Sequence, residues 1–272
     1  MRKIAAICIF LLLGAGAMAQ QRIELWPGNV PGGVKPKQAW VTDTKTEPGT
    51  LRVTEVTNPT LEVYKPTGPS NGMGVIVCPG GGYGMLAYDK EGSDVAQWLA
   101  KQGFTAFALA YRVPGQREGA LQDIQRAIRI ARQQYKLDKV GAIGFSAGAS
   151  LSARAATRNE ATYTAIDDAD QLSCRPDFAM LIYPAYLDDG ANRTLTPELT
   201  ITEQTPPMFI FATADDYFGN SSLVMAQALR DHKIPVELHF VAVGGHGYGM
   251  RRGAGLQWPV YAESWLKGIV RK

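Results

Sequence analysis

The stretch Lys139–Ala156, KVGAIGFSAGASLSARAA, passes from β-favouring apolar residues through Gly144-Phe145-Ser146-Ala147-Gly148 into good helix formers. A serine flanked two residues away by glycines, between a strand and a helix, has the spacing of a nucleophile elbow. Small residues are needed there because strand and helix approach closely and the serine takes a strained backbone conformation. The alternative is a tight turn that happens to contain a serine. A serine nucleophile needs a base within reach and an acid to orient that base. Two later loops supply both types. TADDYFGN offers Asp215 and Asp216, and GGHGYGM carries His246 between Gly245 and Gly247. The order serine, acid, histidine is one of the known orders for acyl-transfer chemistry, with either aspartate as the acid. A fourth loop, Pro79-Gly80-Gly81-Gly82-Tyr83-Gly84, can bring backbone N–H groups close to a substrate. With the N–H of Ala147, those of Gly81 and Gly82 are the candidate oxyanion donors. This loop lacks the Lys-Ser/Thr pair of a phosphate-binding P-loop, and its glycine spacing is not that of a dinucleotide site.

Other polar and aromatic residues near these loops have plainer readings. His239 lies within a strand run and reads as structural. His232 is expected at a helix end, and Glu91 as a helix cap. Asp123 and Arg126, three apart on a helix, read as a surface pair of small energetic weight. Tyr83, Tyr88 and Tyr248 lie near the glycine and histidine loops, and Tyr83 and Tyr248 are candidate sugar-stacking residues. With three histidines and no C-x-x-C pair, a zinc site has few candidate ligands.

The positioning elements follow from the alternation of short apolar runs with helical stretches. Runs at Gly74–Cys78, Thr105–Ala110, Val140–Phe145, Phe178–Tyr183, Met208–Ala212 and Val236–Val243 read as strands buried on both faces. Helices are expected over Asp94–Gln102, Ala120–Tyr135, Ser221–His232 and Pro259–Val270. Such alternation predicts an α/β fold: a mostly parallel central sheet with helices on both faces. In that architecture ligands bind beyond the carboxyl ends of the strands, where all four loops belong. Leu51–Val56 and Thr60–Pro66 alternate around Asn58-Pro59 and predict an antiparallel hairpin. Residues 21–50, rich in Pro, Gly, Lys and Thr, predict an irregular N-terminal arm.

Arg2 and Lys3, the apolar run Ile4–Leu13 and Ala17-Met18-Ala19 have the pattern of a signal peptide over residues 1–19. The expectation is an exported protein, periplasmic or extracellular, that is not membrane-bound after cleavage. The remaining residues, 20–272, suit one α/β domain. The formal charge of +3 falls to +1 once Arg2 and Lys3 are set aside, and no long basic run suggests nucleic-acid binding. Cys78 and Cys174 remain, with Cys78 reading as a buried small hydrophobe and no disulfide expected.

The blocks ELWPGNVPGG (24–33), VIVCPGGGYGMLAYDKEGSDVAQWLAKQGFTAFALAYRVP (75–114), ALQDIQRAIRIAR (120–132), GAIGFSAGASLSA (141–153), PPMFIFATADD (206–216) and GGHGYGM (244–250) resemble, in order and spacing, the secreted bacterial α/β-hydrolases of the acetylxylan esterase and related carbohydrate esterase type. That resemblance spans most of the mature chain. It implies an α/β-hydrolase fold, Ser146 as nucleophile, His246 as base, Asp216 rather than Asp215 as acid, and an oxyanion hole at Gly81, Gly82 and Ala147. Ala149 stands where that family often has a second glycine, and DDYFGN lacks the proline and valine that often follow the acid. The segment Leu187–Thr205 is too short for a large lid domain, so an open cleft is expected. The implied function is hydrolysis of short-chain, acetyl-type esters on plant polysaccharides or oligosaccharides, with no metal or organic cofactor. Alternatives are a peptidase of the prolyl-oligopeptidase type, for whose propeller domain the chain has no room, and a non-catalytic carbohydrate-binding protein on the same fold.

Overall fold

The computed structural model describes residues 21–47, 49–190 and 193–271. The segment read as a signal peptide lies outside the described residues. In chain order the strands are β1 (Arg22–Glu24), β2 (Val41–Asp43), β3 (Arg52–Thr54), β4 (Thr60–Tyr64), β5 (Met73–Cys78), β6 (Leu86–Ala87), β7 (Thr105–Ala110), β8 (Lys139–Phe145), β9 (Ala179–Ile182), β10 (Met208–Thr213) and β11 (Val236–Val241). The α-helices are α1 (Asp94–Lys101), α2 (Arg117–Tyr135), α3 (Ala147–Ala156), α4 (Gly219–Asp231) and α5 (Trp258–Val270).

Eight strands form the main sheet in the order β1-β4-β7-β5-β8-β9-β10-β11. β1 and β4 are antiparallel to their neighbours, and the rest of the sheet is parallel. Strands β5, β7, β9 and β10 are buried at every residue. That is why they read as unbroken apolar runs: a parallel strand covered by helices on both faces has no solvent side. β11 is a partly exposed edge, and its Val-Glu-Leu-His-Phe-Val sequence mixes polar residues accordingly. The chain moves one way from β5 through α1 to β7, then crosses back through α2 to β8 on the other side of β5. The topology therefore switches between β5 and β8, the position beyond which ligands bind in sheets of this kind.

Trp98 of α1 packs edge-on to Trp258 of α5, which joins those helices over one face. Ala149 and Ala153 of α3 share a second apolar cluster with Met225 and Leu229 of α4. The segment after Tyr186 is an irregular loop that inserts Leu187, Leu199 and Ile201 into that same cluster. Cys78 and Cys174 are separate buried thiols.

The expected hairpin of Leu51–Val56 with Thr60–Pro66 does not form. β3 pairs with β2 and β6 in a separate three-stranded sheet, while β4 lies between β1 and β7. Alternation showed that both segments are half-buried but not which partner each would find. The N-terminal arm is likewise not wholly irregular. It supplies β1 and β2, and it buries Leu25 and Trp26 completely.

Asp123 and Arg126 are not a surface pair. Asp123 is fully buried and accepts hydrogen bonds from Trp26 Nε1 at 2.8 Å, the Arg112 backbone at 2.9 Å and Arg112 Nε at 2.9 Å. Arg126 reaches Asp167, Asp170 and the carbonyl of Leu25 instead. These bonds fasten the arm and the loop before β9 to α2. Breaking one side of a buried ion pair leaves the other charge uncompensated, at a cost of about 3–5 kcal/mol. Asp123→Ala is therefore expected to lower unfolding free energy by about that amount in urea titration. An unchanged midpoint would show that the pair contributes nothing.

Candidate active site

Ser146 sits between β8 and α3 with φ 52° and ψ −118°, a conformation rarely adopted by residues with a side chain. The turn is held by Ser146 N–H donating to Ile182 O at 3.1 Å, and by Ala149 and Ser150 N–H donating to Ser146 O. The flanking glycines are sterically required. A Cβ on Gly144 would overlap the carbonyl of Gly148, and one on Gly148 would overlap the carbonyls of Cys78 and Pro79. Gly148→Ala is thus expected to push α3 off β5, costing about 3 kcal/mol, and to remove Ser146 from its position. Wild-type stability in that variant would contradict the close-approach account.

His246 lies in the loop after β11. Its Nε2 is 2.7 Å from Ser146 Oγ, and its Nδ1 is 2.7 Å from Asp216 Oδ2. A carboxylate only accepts, so Nδ1 carries the hydrogen and Nε2 accepts that of Ser146. Asp216 is almost fully buried and also accepts from Phe218 N–H at 2.8 Å, whereas the imidazole remains partly open to solvent. Asp215 does not touch the imidazole. Its carboxylate accepts the N–H groups of Gly244 at 3.1 Å and Gly245 at 2.9 Å, and so fastens the histidine loop by its backbone. Those two amides, Gly245 first, hold the Asp215 carboxyl below the usual carboxylate range.

The glycine loop leaves β5 directly beside the serine. A Cβ on Gly80 would stand 2.8 Å from that of Ser146. Tyr111 Oη donates to Pro79 O at 2.6 Å and anchors the loop's first residue. Among the described residues none accepts a hydrogen bond from the N–H of Gly81, Gly82 or Ala147. Three backbone donors, in the glycine loop and at the start of α3, are thus left without a protein acceptor.

Glu91 departs from its expected role. It lies in a short π-helical turn, Asp89–Ser93, with no side-chain capping bond at its start. The carboxylate points inward, 2% exposed. It accepts from Gly80 N–H at 2.7 Å and from Tyr183 Oη–H at 2.8 Å. Burial pushes this carboxyl up, opposed by its bonds from Tyr183 and Gly80.

Tyr83 and Tyr248, the candidate sugar-stacking residues, are 4% and 2% exposed. Tyr83 packs beneath Tyr186 and the Arg117 guanidinium, and Tyr248 packs edge-on against Tyr183. Neither presents a free ring face, because each points into the layer that supports the loops. Tyr88 is also buried, with its hydroxyl toward Glu62. Exposed rings near the histidine are Tyr186 and Tyr217, with Phe218 between them and 5.1 Å from His246. They border a hollow of about 370 Å³ that also includes Asp188, Arg193 and Asn220. Sequence reading missed these rings because Tyr186 follows β9 in a segment without periodicity. His232 bonds Ala228 O at a helix end, and His239 stacks on Tyr261. Among the described residues no three His, Cys, Asp or Glu side chains form a group that could hold a metal ion.

Residues 61–180 match the BD-FAE family model. The chain is 28% identical to an acetylxylan esterase of Xylanibacter ruminicola, over 81% of this chain and 50% of that protein, so it spans about half the length of that relative. Among solved structures, it resembles an acetyl ester-xyloside bifunctional hydrolase from Caldicellulosiruptor lactoaceticus at 28% identity and TM-score 0.73, covering 92% of this chain and 96% of the other. Esterase 2 of Thermogutta terrifontis shares the fold at 21% identity and TM-score 0.65, over 82% of this chain and 95% of that one. The chain thus has the α/β-hydrolase fold and is similar to proteins named as acetyl-ester hydrolases.

Proposed function

We propose that the protein is a serine esterase acting on short acyl esters, principally acetyl groups, carried by plant polysaccharides or their oligosaccharides. The observation that carries this reading is the unbroken hydrogen-bonded series Ser146–His246–Asp216, with the amides of Gly81, Gly82 and Ala147 left without a protein acceptor. His246 Nε2 takes the hydroxyl proton as Ser146 Oγ attacks the ester carbonyl. The oxyanion is met by the N–H groups of Gly81, Gly82 and Ala147. Collapse of the tetrahedral species expels the sugar alcohol, which leaves with the proton held by His246. Water, activated by the same nitrogen, then releases the acid and restores the serine. Asp216 keeps the imidazole in the productive tautomer and offsets its transient charge.

The carbohydrate part rests on likeness to the acetylxylan esterase and to the acetyl ester-xyloside bifunctional hydrolase. It is consistent with the exposed rings of Tyr186 and Tyr217 beside polar Asp188 and Asn220, a mixture suited to a sugar's apolar face and hydroxyl edge. We place the reaction outside the cytoplasm because Arg2–Ala19 has the pattern of an export signal. No helix among the described residues is long and apolar enough to cross a membrane.

The test is acetate release from acetylated xylo-oligosaccharides, compared with aryl acetates, longer aryl esters and prolyl peptides. Acetate release with little turnover of longer acyl chains is expected. Cleavage of prolyl peptides with no ester turnover would replace this reading with a peptidase. Absence of all turnover and of fluorophosphonate labelling would leave a non-catalytic carbohydrate-binding protein.

A further inference from the structure

The glycine loop and the histidine loop leave β5 and β11, which β8, β9 and β10 separate in the sheet. A chain of buried hydrogen bonds nevertheless joins them. Gly80 N–H donates to Glu91 Oε2 at 2.7 Å, Tyr183 Oη–H donates to Glu91 Oε1 at 2.8 Å, and Gly249 N–H donates to the Tyr183 oxygen at 3.0 Å. Gly80 immediately precedes the candidate oxyanion donors, and Gly249 lies just beyond His246.

The direction of this chain is set by its members. Both partners of Glu91 are donors, so the position needs two acceptor oxygens. A glutamine could accept from Gly80, but its NH₂ would then face a tyrosine oxygen already bonded by Gly249, and the tyrosine hydrogen would lose its acceptor. A buried carboxyl is costly unless fully hydrogen-bonded, and here it stands beneath the reacting groups. Tyr183 carries an independent mark. Its backbone has φ 38°, in the left-handed region, at the end of β9. Such strain persists only where its surroundings enforce it. The conformation places the Tyr183 ring edge-on to His246, with centroids 5.0 Å apart.

We infer that Glu91 and Tyr183 are positioning residues: a buried strut that fixes the oxyanion loop relative to His246, so that donors and base act on one acyl group at once. The inference rests on the esterase reading above. It assigns the strut to transition-state geometry rather than to substrate binding, because neither side chain reaches the cleft.

The test uses the full chain, with Glu91→Gln, Tyr183→Phe and the double variant. The substrate is p-nitrophenyl acetate, and a boronic acid that adds to the serine serves as a tetrahedral probe. Misplacement of reacting groups by about an ångström costs about 10²-fold in rate. Each single variant is therefore expected to lower kcat by about that factor, leave KM nearly unchanged and weaken boronate binding in parallel. The double variant should be no worse than the poorer single one. Tyr183→Phe keeps the ring and the carboxylate, so it serves if Glu91→Gln fails to fold. Unchanged kcat in folded variants, even with a lowered melting temperature, would reduce the strut to packing and overturn the inference. Multiplying effects in the double variant would overturn it also. Wild-type protein without ester turnover sinks the esterase reading and this inference with it; an active wild type with unimpaired variants sinks only this one.

Discussion

Ser146→Ala is expected to lower ester turnover by about 10⁶-fold, the scale on which removal of a serine nucleophile acts when base and acid remain. The loss should fall on kcat, because no substituent that binds the remote part of the substrate is touched. The substitution removes one oxygen and keeps the Cβ, so folding stability should change little. His246 Nε2, 2.7 Å from Ser146 Oγ, would lose that hydrogen-bond partner. A fluorophosphonate probe should label the wild-type protein at Ser146 and leave the variant unlabelled. Turnover that survives in Ser146→Ala would mean that the chemistry runs elsewhere.

The second large effect separates two adjacent carboxylates. Asp216→Asn should lower kcat by about 10⁴-fold, because an amide donating to Nδ1 holds the imidazole in the wrong tautomer. Asp215→Asn should cost far less. Asp215 accepts the backbone amides of Gly244 and Gly245, and an asparagine oxygen can still accept from one of them. Parallel kcat measurements on the two variants decide the matter. Near-wild-type turnover in Asp216→Asn with collapse in Asp215→Asn would reverse the assignment.

The parts of the fold that were legible are those whose cause is local. β5, β7, β8, β9 and β10 declare themselves because burial on both faces demands apolar residues at every position. α2 was legible through Leu121, Ile124, Ile128 and Ala131, which share its buried face. β1, β2 and β6 were not, being two or three residues long and defined only by distant partners. Asp123 shows the same limit for a side chain. Its spacing from Arg126 suggested a helix-surface pair, but its partners are Trp26, just after β1, and Arg112, just after β7.

What the sequence by itself determined is which loops would meet at one edge of the sheet. Parallel strands deliver their following loops to one edge of the sheet, and only glycines permit the approach of β8, α3 and the end of β5 around Ser146. The residues alone left Asp215 and Asp216 equal, since neighbours in a loop differ only in direction. Tertiary structure turned Asp216 toward His246 and Asp215 toward the backbone of the histidine loop. It also buried Tyr83 and Tyr248, and it joined Glu91 to Tyr183 across 92 residues of chain. Those outcomes depend on which surfaces meet when the sheet closes against its helices, and no local pattern of residue types carries that information.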